Sequence, residues 1–216
     1  MQMTTVNPGD VVFNDKQGHN DRRNRGGAQT REDGGRPYIL PLSFMEIETA
    51  RLRLRPFVQD DLDALHRLWT DPEVRRYLWD DEVISKERAQ VEIDRSLASF
   101  GSYGFGYWIV SHVGDGVPIG FCGIRGGGED PEIVFGIAPG YWGQGLALEA
   151  VRAVLRYGFE QKNLPFIVGK ADLPNLRSFR VMEKAGMKFQ RDDRRGCAGM
   201  RHFAITREEF DHSQFA

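Results

Sequence analysis

Between Glu132 and Phe159 the chain reads EIVFGIAPGYWGQGLALEAVRAVLRYGF. Gly143 and Gly145 stand between a strand-like run and a helix-like run. Glycine lets a backbone approach a ligand closely. A helix starting directly afterwards offers unpaired N–H groups and the positive end of its dipole, so the chemistry this segment suits is phosphate binding. Two common cradles do not fit. The P-loop needs Lys after its second glycine, where this chain has Leu146. The dinucleotide fingerprint needs a third glycine, and that place holds Leu148. Two polar side chains, Asn175 and Ser178, open another helix-like run, NLRSFRVMEKAGM. A carboxylate, Glu132, opens the strand that leads into the glycine loop.

Tyr141 to Ala150, YWGQGLALEA, resembles the acyl-CoA loop Tyr-Trp-Gly-x-Gly-x-Ala-x-Glu-Ala of the RimJ/RimL-like branch of the GNAT acetyltransferases. Asn175 to Met187 resembles that branch's N-x-x-S-x-R-x-x-E-K-x-G-[FM] pattern, and the likeness runs from about Ile47 to Phe210. It implies a mixed, mostly antiparallel α/β sheet with one splayed parallel pair and helices on both faces. The implied function is an N-acetyltransferase that moves acetyl from acetyl-CoA to a primary amine by direct transfer in a ternary complex. The acceptor would be a peptide α-amine or a small-molecule amine, the setting cytoplasmic, and a homodimer would be in keeping with the family.

The resemblance also assigns residues. The backbone at Ile137 and Ala138 would pair with the pantetheine arm, and Trp142, Gly143, Gln144, Gly145, Leu146 and Ala147 would wrap the pyrophosphate. Asn175 would bind the arm through its amide; as a residue type it is equally a helix N-cap. Phe179 would line the cofactor groove or belong to the core. Arg180 would reach a CoA phosphate or face solvent. Tyr77 and Trp79 fall in the segment that walls the acceptor site, and are otherwise core or rim. Gly140 stands where the wider family often has Gln or Arg, and Met182 where many members have a tyrosine acid.

Amide formation needs a neutral amine, although an amine is mostly ammonium at pH 7. Glu132 is the candidate base, against the alternative of a strand-end carboxylate in solvent, with Glu129 and Asp130 as loop alternatives. A serine hydroxyl is a poor acid, so Ser178 would hydrogen-bond the leaving thiolate or simply occupy a first helical turn. Covalent catalysis is unnecessary when both substrates are held together. His66, His112 and His202 show no metal-ligand spacing, so no metal is expected. Cys122 sits in an apolar run and reads as core, as do Trp108 and Phe121.

These residues need elements to hold them. The alternation in Ile47, Leu52 and Leu54 predicts a half-buried strand with Arg51, Arg53 and Arg55 on its wet face. Asp60 or Asp61 can cap a following helix that Asp71-Pro72 closes, and Ser85 can cap a second. Strands are predicted at Tyr107–His112, Pro118–Arg125 and Glu132–Ile137, joined by Gly114-Asp115-Gly116 and Gly126-Gly127-Gly128. Phe166–Ala171 should run parallel to Glu132–Ile137, because a helix crosses between them. A helix from Asn175 should end at Ala185 with Gly186 beyond it. Strands at Met187–Gln190 and Met200–Ile205 and a helix opened by Thr206 complete the chain.

Composition bounds the reading. At 216 residues, 40% hydrophobic and net charge −2, the chain suits one domain plus a tail and gives no reason to expect nucleic acid or a membrane surface as partner. Residues 1–44 are almost without apolar side chains between Asn14 and Arg36 and read as a disordered extension, with the acetyltransferase domain at 45–216. Two cysteines make no disulfide framework, which fits a reduced compartment. Two rivals share the glycine loop: a catalytically silent acyl-CoA-binding module and a nucleotide binder.

Overall fold

The computed structural model describes residues 45–126, 130–193 and 199–213. The expected disordered extension, the centre of the Gly126–Gly128 turn, the alternative base Glu129, and Cys197 lie outside the described residues.

Among the described residues eight strands form one sheet: β1 (Ile47–Glu48), β2 (Leu52–Pro56), β3 (Tyr107–His112), β4 (Pro118–Arg125), β5 (Glu132–Ile137), β6 (Phe166–Asp172), β7 (Lys188–Asp193) and β8 (Met200–Thr206). Their order is β1-β2-β3-β4-β5-β6-β8-β7. Neighbours are antiparallel except β5 and β6, which run parallel and pair only at Glu132↔Val168 and Ile133↔Gly169. Beyond that short contact the two strands part. The helices are α1 (Leu62–Thr70), α2 (Pro72–Arg75), α3 (Lys86–Tyr103), α4 (Leu146–Arg156), α5 (Leu176–Lys184) and α6 (Arg207–Ser213).

Period-two alternation sorts the sheet's side chains into two cores. Trp108, Val110, Cys122 and Ile124 pack with Leu146, Ala150, Val151 and Val154 of α4 on one face. Ile109 and Phe121 point the other way, to Leu65 and Trp69 of α1 and Ala89 and Ile93 of α3. Trp108, Phe121 and Cys122 are therefore core, as their setting in the sequence predicts. The Trp108 indole also donates to the Met45 carbonyl at 2.7 Å.

Two predictions near the first helix need correction. Arg51 and Arg53 are exposed, but Arg55 is half-buried and grips Asp61 through Nη1 and Nη2 at 2.8 and 2.6 Å. Asp61 also accepts the Val58 N–H at 2.8 Å. Its carboxylate thus serves Arg55 and the incoming chain, Gln59–Asp61 makes a 3-10 turn, and α1 starts at Leu62 with no side-chain cap. Asp71 ends α1 and at once caps α2, accepting from Glu73 N at 2.9 Å. Ser85 caps α3 through Arg88 N at 3.3 Å, as expected. Asn175 caps α5, and Gly186 follows it at φ 94°, a left-handed value suited to glycine. Thr206 and Glu209 form a reciprocal capping box on α6, at 2.9 and 3.3 Å.

Candidate active site

Strand β5 carries the site at both of its ends. At its start Glu132 is 7% exposed and faces Arg125 in register on β4, while Lys170 lies diagonally across on β6. The carboxylate accepts from Arg125 Nη2 at 2.9 Å and from Lys170 Nζ at 3.1 Å. Glu132 is therefore a buried anion shared by two cations, not a strand-end group in open solvent. A cavity of about 420 Å³ opens beside it. Tyr77 and Trp79, Tyr107, Arg125, Lys170, Asp172, Asn175 and Ser178 all line it.

Burial pushes the Tyr107 hydroxyl up to about 12, so it stays a protonated donor in the cavity. The Asp172 carboxyl is raised by its burial and by the nearby Asp80 charge. Among the described residues neither of those two carboxylates has a hydrogen-bond partner in the fold. Asn175 Oδ1 accepts the Ser178 N–H at 3.2 Å, which leaves the amide N–H₂ of Asn175 without a partner among the described residues.

At the far end of β5 the antiparallel ladder decides which backbone groups are open. The Ala138 N–H bonds to Ile119 O at 2.8 Å, and its carbonyl accepts the Tyr141 N–H at 3.0 Å. By alternation Gly136 and Val134 also face β4, while Phe135 and Ile137 face the gap towards β6. The Ile137 carbonyl is already taken by Trp142 Nε1 at 2.6 Å. Open groups on this edge thus belong to Phe135 and to the Ile137 N–H.

After a 3-10 turn at Pro139–Tyr141 comes the glycine loop. Gly143 and Gly145 adopt φ 76° and 77°, the left-handed region, so glycine is needed here for conformation. The first bond of α4 runs from Glu149 N to Gly145 O at 3.1 Å. Among the described residues the N–H groups of Leu146, Ala147 and Leu148 have no backbone acceptor, which is the state an anion site at a helix start requires. Arg177 of α5 stacks on the Trp142 ring, 4.2 Å from its centroid, and braces the loop from across the gap.

The sequence model described as "Acetyltransferase (GNAT) domain" matches residues 51–188. The chain belongs to the GNAT acetyltransferase family. It is an acyltransferase by that membership. The "Uncharacterized N-acetyltransferase p20" of Bacillus licheniformis is 30% identical over 151 residues, covering 67% of this chain and 82% of that one. The FsC-acetyl coenzyme A-N(2)-transacetylase of Aspergillus fumigatus is 28% identical over 186 residues, covering 76% and 77%. Among solved structures, RimL, a ribosomal L7/L12 alpha-N-protein acetyltransferase in complex with coenzyme A, shares the fold at TM-score 0.66 and 15% identity, over 74% of this chain and 97% of that one.

Within this GNAT acetyltransferase the sequence-predicted residues fall into three groups. Glu132, Asn175, Ser178, Tyr77 and Trp79 come together around the cavity. Ile137, Trp142, Gly143, Gln144, Gly145, Leu146 and Ala147 line up along the splayed edge and loop. The Leu146 side chain is core, so its part there is its N–H. Two assignments change. Ala138 has both backbone groups engaged within the fold, and Phe135 takes its place on the open edge. Phe179 is buried against Phe203, ring centroids 5.6 Å apart, and is core, not groove. Arg180 is on the exposed side of α5 and outside the cavity, a position compatible with either solvent or a CoA phosphate. Arg125, Lys170 and Asp172 were missed. The meeting of Arg125 and Lys170 with Glu132 depends on strand register, and that of Asp172 with Asp80 on the turn after α2, although cationic and acidic residues alternating at the end of Phe166–Asp172 are a readable hint. No helix among the described residues is long and apolar enough to cross a membrane.

Proposed function

We propose that this acyltransferase moves an acetyl group from acetyl-CoA to a primary amine by direct attack in a ternary complex. The observation that carries the reading is the gap between β5 and β6. It runs from the glycine loop at the start of α4 to the cavity holding Glu132, Asn175 and Ser178. A pantetheine arm laid in that gap would bond to Phe135 and the Ile137 N–H as an added strand, with its diphosphate on the N–H groups of 143–148. The name of the Aspergillus relative and the coenzyme A in the RimL structure support this donor.

In the transfer, the amine nitrogen attacks the thioester carbonyl carbon, the C–N bond forms and the C–S bond breaks. The proton lost by nitrogen passes to Glu132, directly or through a water, and the thiolate leaves on a hydrogen bond from Ser178 until solvent protonates it. Arg125 and Lys170 act before that step. Two cations beside the reacting position disfavour ammonium and deliver the acceptor as free base. For Glu132 to take a proton, one of its two charge-assisted bonds must lengthen. The acceptor amine, on a peptide N-terminus or a small molecule, enters past Tyr77 and Trp79.

Thiol release from acetyl-CoA across a panel of peptide and small-molecule amines tests this. Amine-dependent turnover, with a coenzyme A-dependent rise in Tm, is expected. Coenzyme A binding without turnover on any amine would favour a silent acyl-CoA-binding module, and no binding would remove the donor assignment.

A further inference from the structure

The bend between β1 and β2 reaches the glycine loop from behind. Thr49 and Leu52 close the bend with the Leu52 N–H on Thr49 Oγ1 at 2.9 Å and the Thr49 N–H on Leu52 O at 2.9 Å. The Val113 N–H holds the Arg51 carbonyl at 2.9 Å. Arg51 is thereby fixed at its backbone, and its side chain spans two targets. Nε and Nη2 fork onto Glu149 Oε2 at 2.7 and 2.6 Å, and Nη1 donates to the Gln144 carbonyl at 3.0 Å. Glu149 Oε1 accepts in addition from Thr49 Oγ1 at 2.6 Å and from Arg51 N at 3.0 Å.

Glu149 lies in the first turn of α4. A carboxylate there suits the helix dipole in isolation. Beside a bound diphosphate it is a like charge next to the anion the helix start would hold. Burial resists ionisation of Glu149, but the hydrogen bonds from Thr49 and Arg51 outweigh it and keep the carboxyl below its usual range. Glu149 thus stays charged, and Arg51 is the cation that cancels it. The second contact sets direction. A trans peptide points its C=O and N–H opposite ways. With the Gln144 carbonyl turned to Arg51, the Gly145 N–H faces away from Arg51, on the side left to a ligand.

We infer that Arg51 is a positioning residue for diphosphate binding, acting by neutralising Glu149, with its bond to the Gln144 carbonyl a minor addition. This rests on the coenzyme A reading of the loop. It places a cofactor-site determinant in the first strand hairpin, more than ninety positions upstream of the loop it serves.

The test is a charge cycle read by titration calorimetry with coenzyme A, on wild type, Arg51→Gln, Glu149→Gln, the double variant and Arg51→Lys, with Tm recorded for each. Arg51→Gln should weaken coenzyme A about tenfold, because it leaves the Glu149 charge bare near the diphosphate. Glu149→Gln should bind no more weakly than wild type. The double variant should recover to within about threefold of wild type despite a Tm as low as that of Arg51→Gln, and Arg51→Lys should also stay within about threefold. Arg51→Gln binding like wild type would overturn the inference. So would a double variant as weak as Arg51→Gln, which would make Arg51 a direct phosphate ligand or a purely structural residue. A wild type that does not bind coenzyme A would overturn the donor reading itself, and the inference with it.

Discussion

Arg125 and Glu132 face each other in register across β4 and β5, and their guanidinium and carboxylate meet at 2.9 Å. Lys170 reaches the other oxygen of the same carboxylate at 3.1 Å. The proposed base is therefore a neutralised and oriented group, and removing its charge has two separable consequences.

Glu132→Gln keeps the shape but leaves Arg125 and Lys170 facing each other over a neutral amide. Both cations are part exposed, at 57% and 35%, so water offsets some of the cost. Stability should fall by about 2 kcal/mol, between the values for a surface pair and a buried one. Turnover should fall at least about 100-fold if Glu132 takes the proton, with coenzyme A affinity unchanged. Denaturant melts, steady-state kinetics and calorimetry separate the two; an unchanged kcat would contradict the assignment of the base.

Asp172 gives a pH signature of the opposite sign to a salt-bridged carboxylate. Burial first, and the Asp80 charge second, raise its carboxyl. Its native state then holds a proton more tightly than its unfolded state. Below both values the group is neutral and has no effect. As pH climbs through the unfolded and then the folded value, ionisation penalises the native state, and the penalty persists at neutral pH. Asp172→Asn should accordingly raise Tm at pH 7, and the gain should vanish near about pH 3, where Asp is protonated in either state. A gain independent of pH would point to some other cause.

Asn175 has one observed job and one proposed job, and a single substitution can part them. Its Oδ1 caps α5 on Ser178 N, and its amide N–H₂ is the group proposed to bind the pantetheine arm. Asn175→Asp keeps an N-cap of equal quality, so Tm should hold while coenzyme A binding weakens. Asn175→Ala should lose about 1 kcal/mol of stability as well as affinity. An Asp variant that binds coenzyme A like wild type would reduce Asn175 to a cap.

Gly145 sits at φ 77°, and an added Cβ would meet only Arg51 Nη2 at an ordinary 3.6 Å. Space is thus not the obstacle. Gly145→Ala should cost about 1–2 kcal/mol from the left-handed backbone alone, and a relaxed loop would turn its N–H groups away from the proposed diphosphate position. Tm and coenzyme A affinity should drop together.

Much of the framework could be read from the residues. Tyr107–His112, Pro118–Arg125 and Glu132–Ile137 stand at the limits their flanking turns predict, because each is a short, mostly apolar run with glycine or proline near its borders. Local capping was legible at Ser85 and Asn175 for the same reason: both bonds lie within three residues. What failed needed long-range information. Asp61 looks like a cap until Arg55 arrives in the same space. Phe179 and Arg180 are neighbours in sequence, and only the packing of α5 on Phe203 says that the first is core and the second faces out. Ala138 was misplaced by one position, and in a strand one position reverses the direction of the backbone groups. The pairing of Glu132 with Arg125 and Lys170 is a matter of register between three strands, to which composition is blind.

The central claim is that the backbone from Phe135 to Leu148 binds the arm and diphosphate of an acyl carrier, and amide hydrogen exchange with and without saturating coenzyme A addresses it directly. Phe135, Ile137 and the N–H groups of 143–148 should exchange at least about tenfold more slowly with ligand, since each would gain an acceptor it lacks in the free protein, while Ala138, already bonded to Ile119, should change little. Unaltered exchange across 135–148 in a protein saturated with coenzyme A would contradict the account.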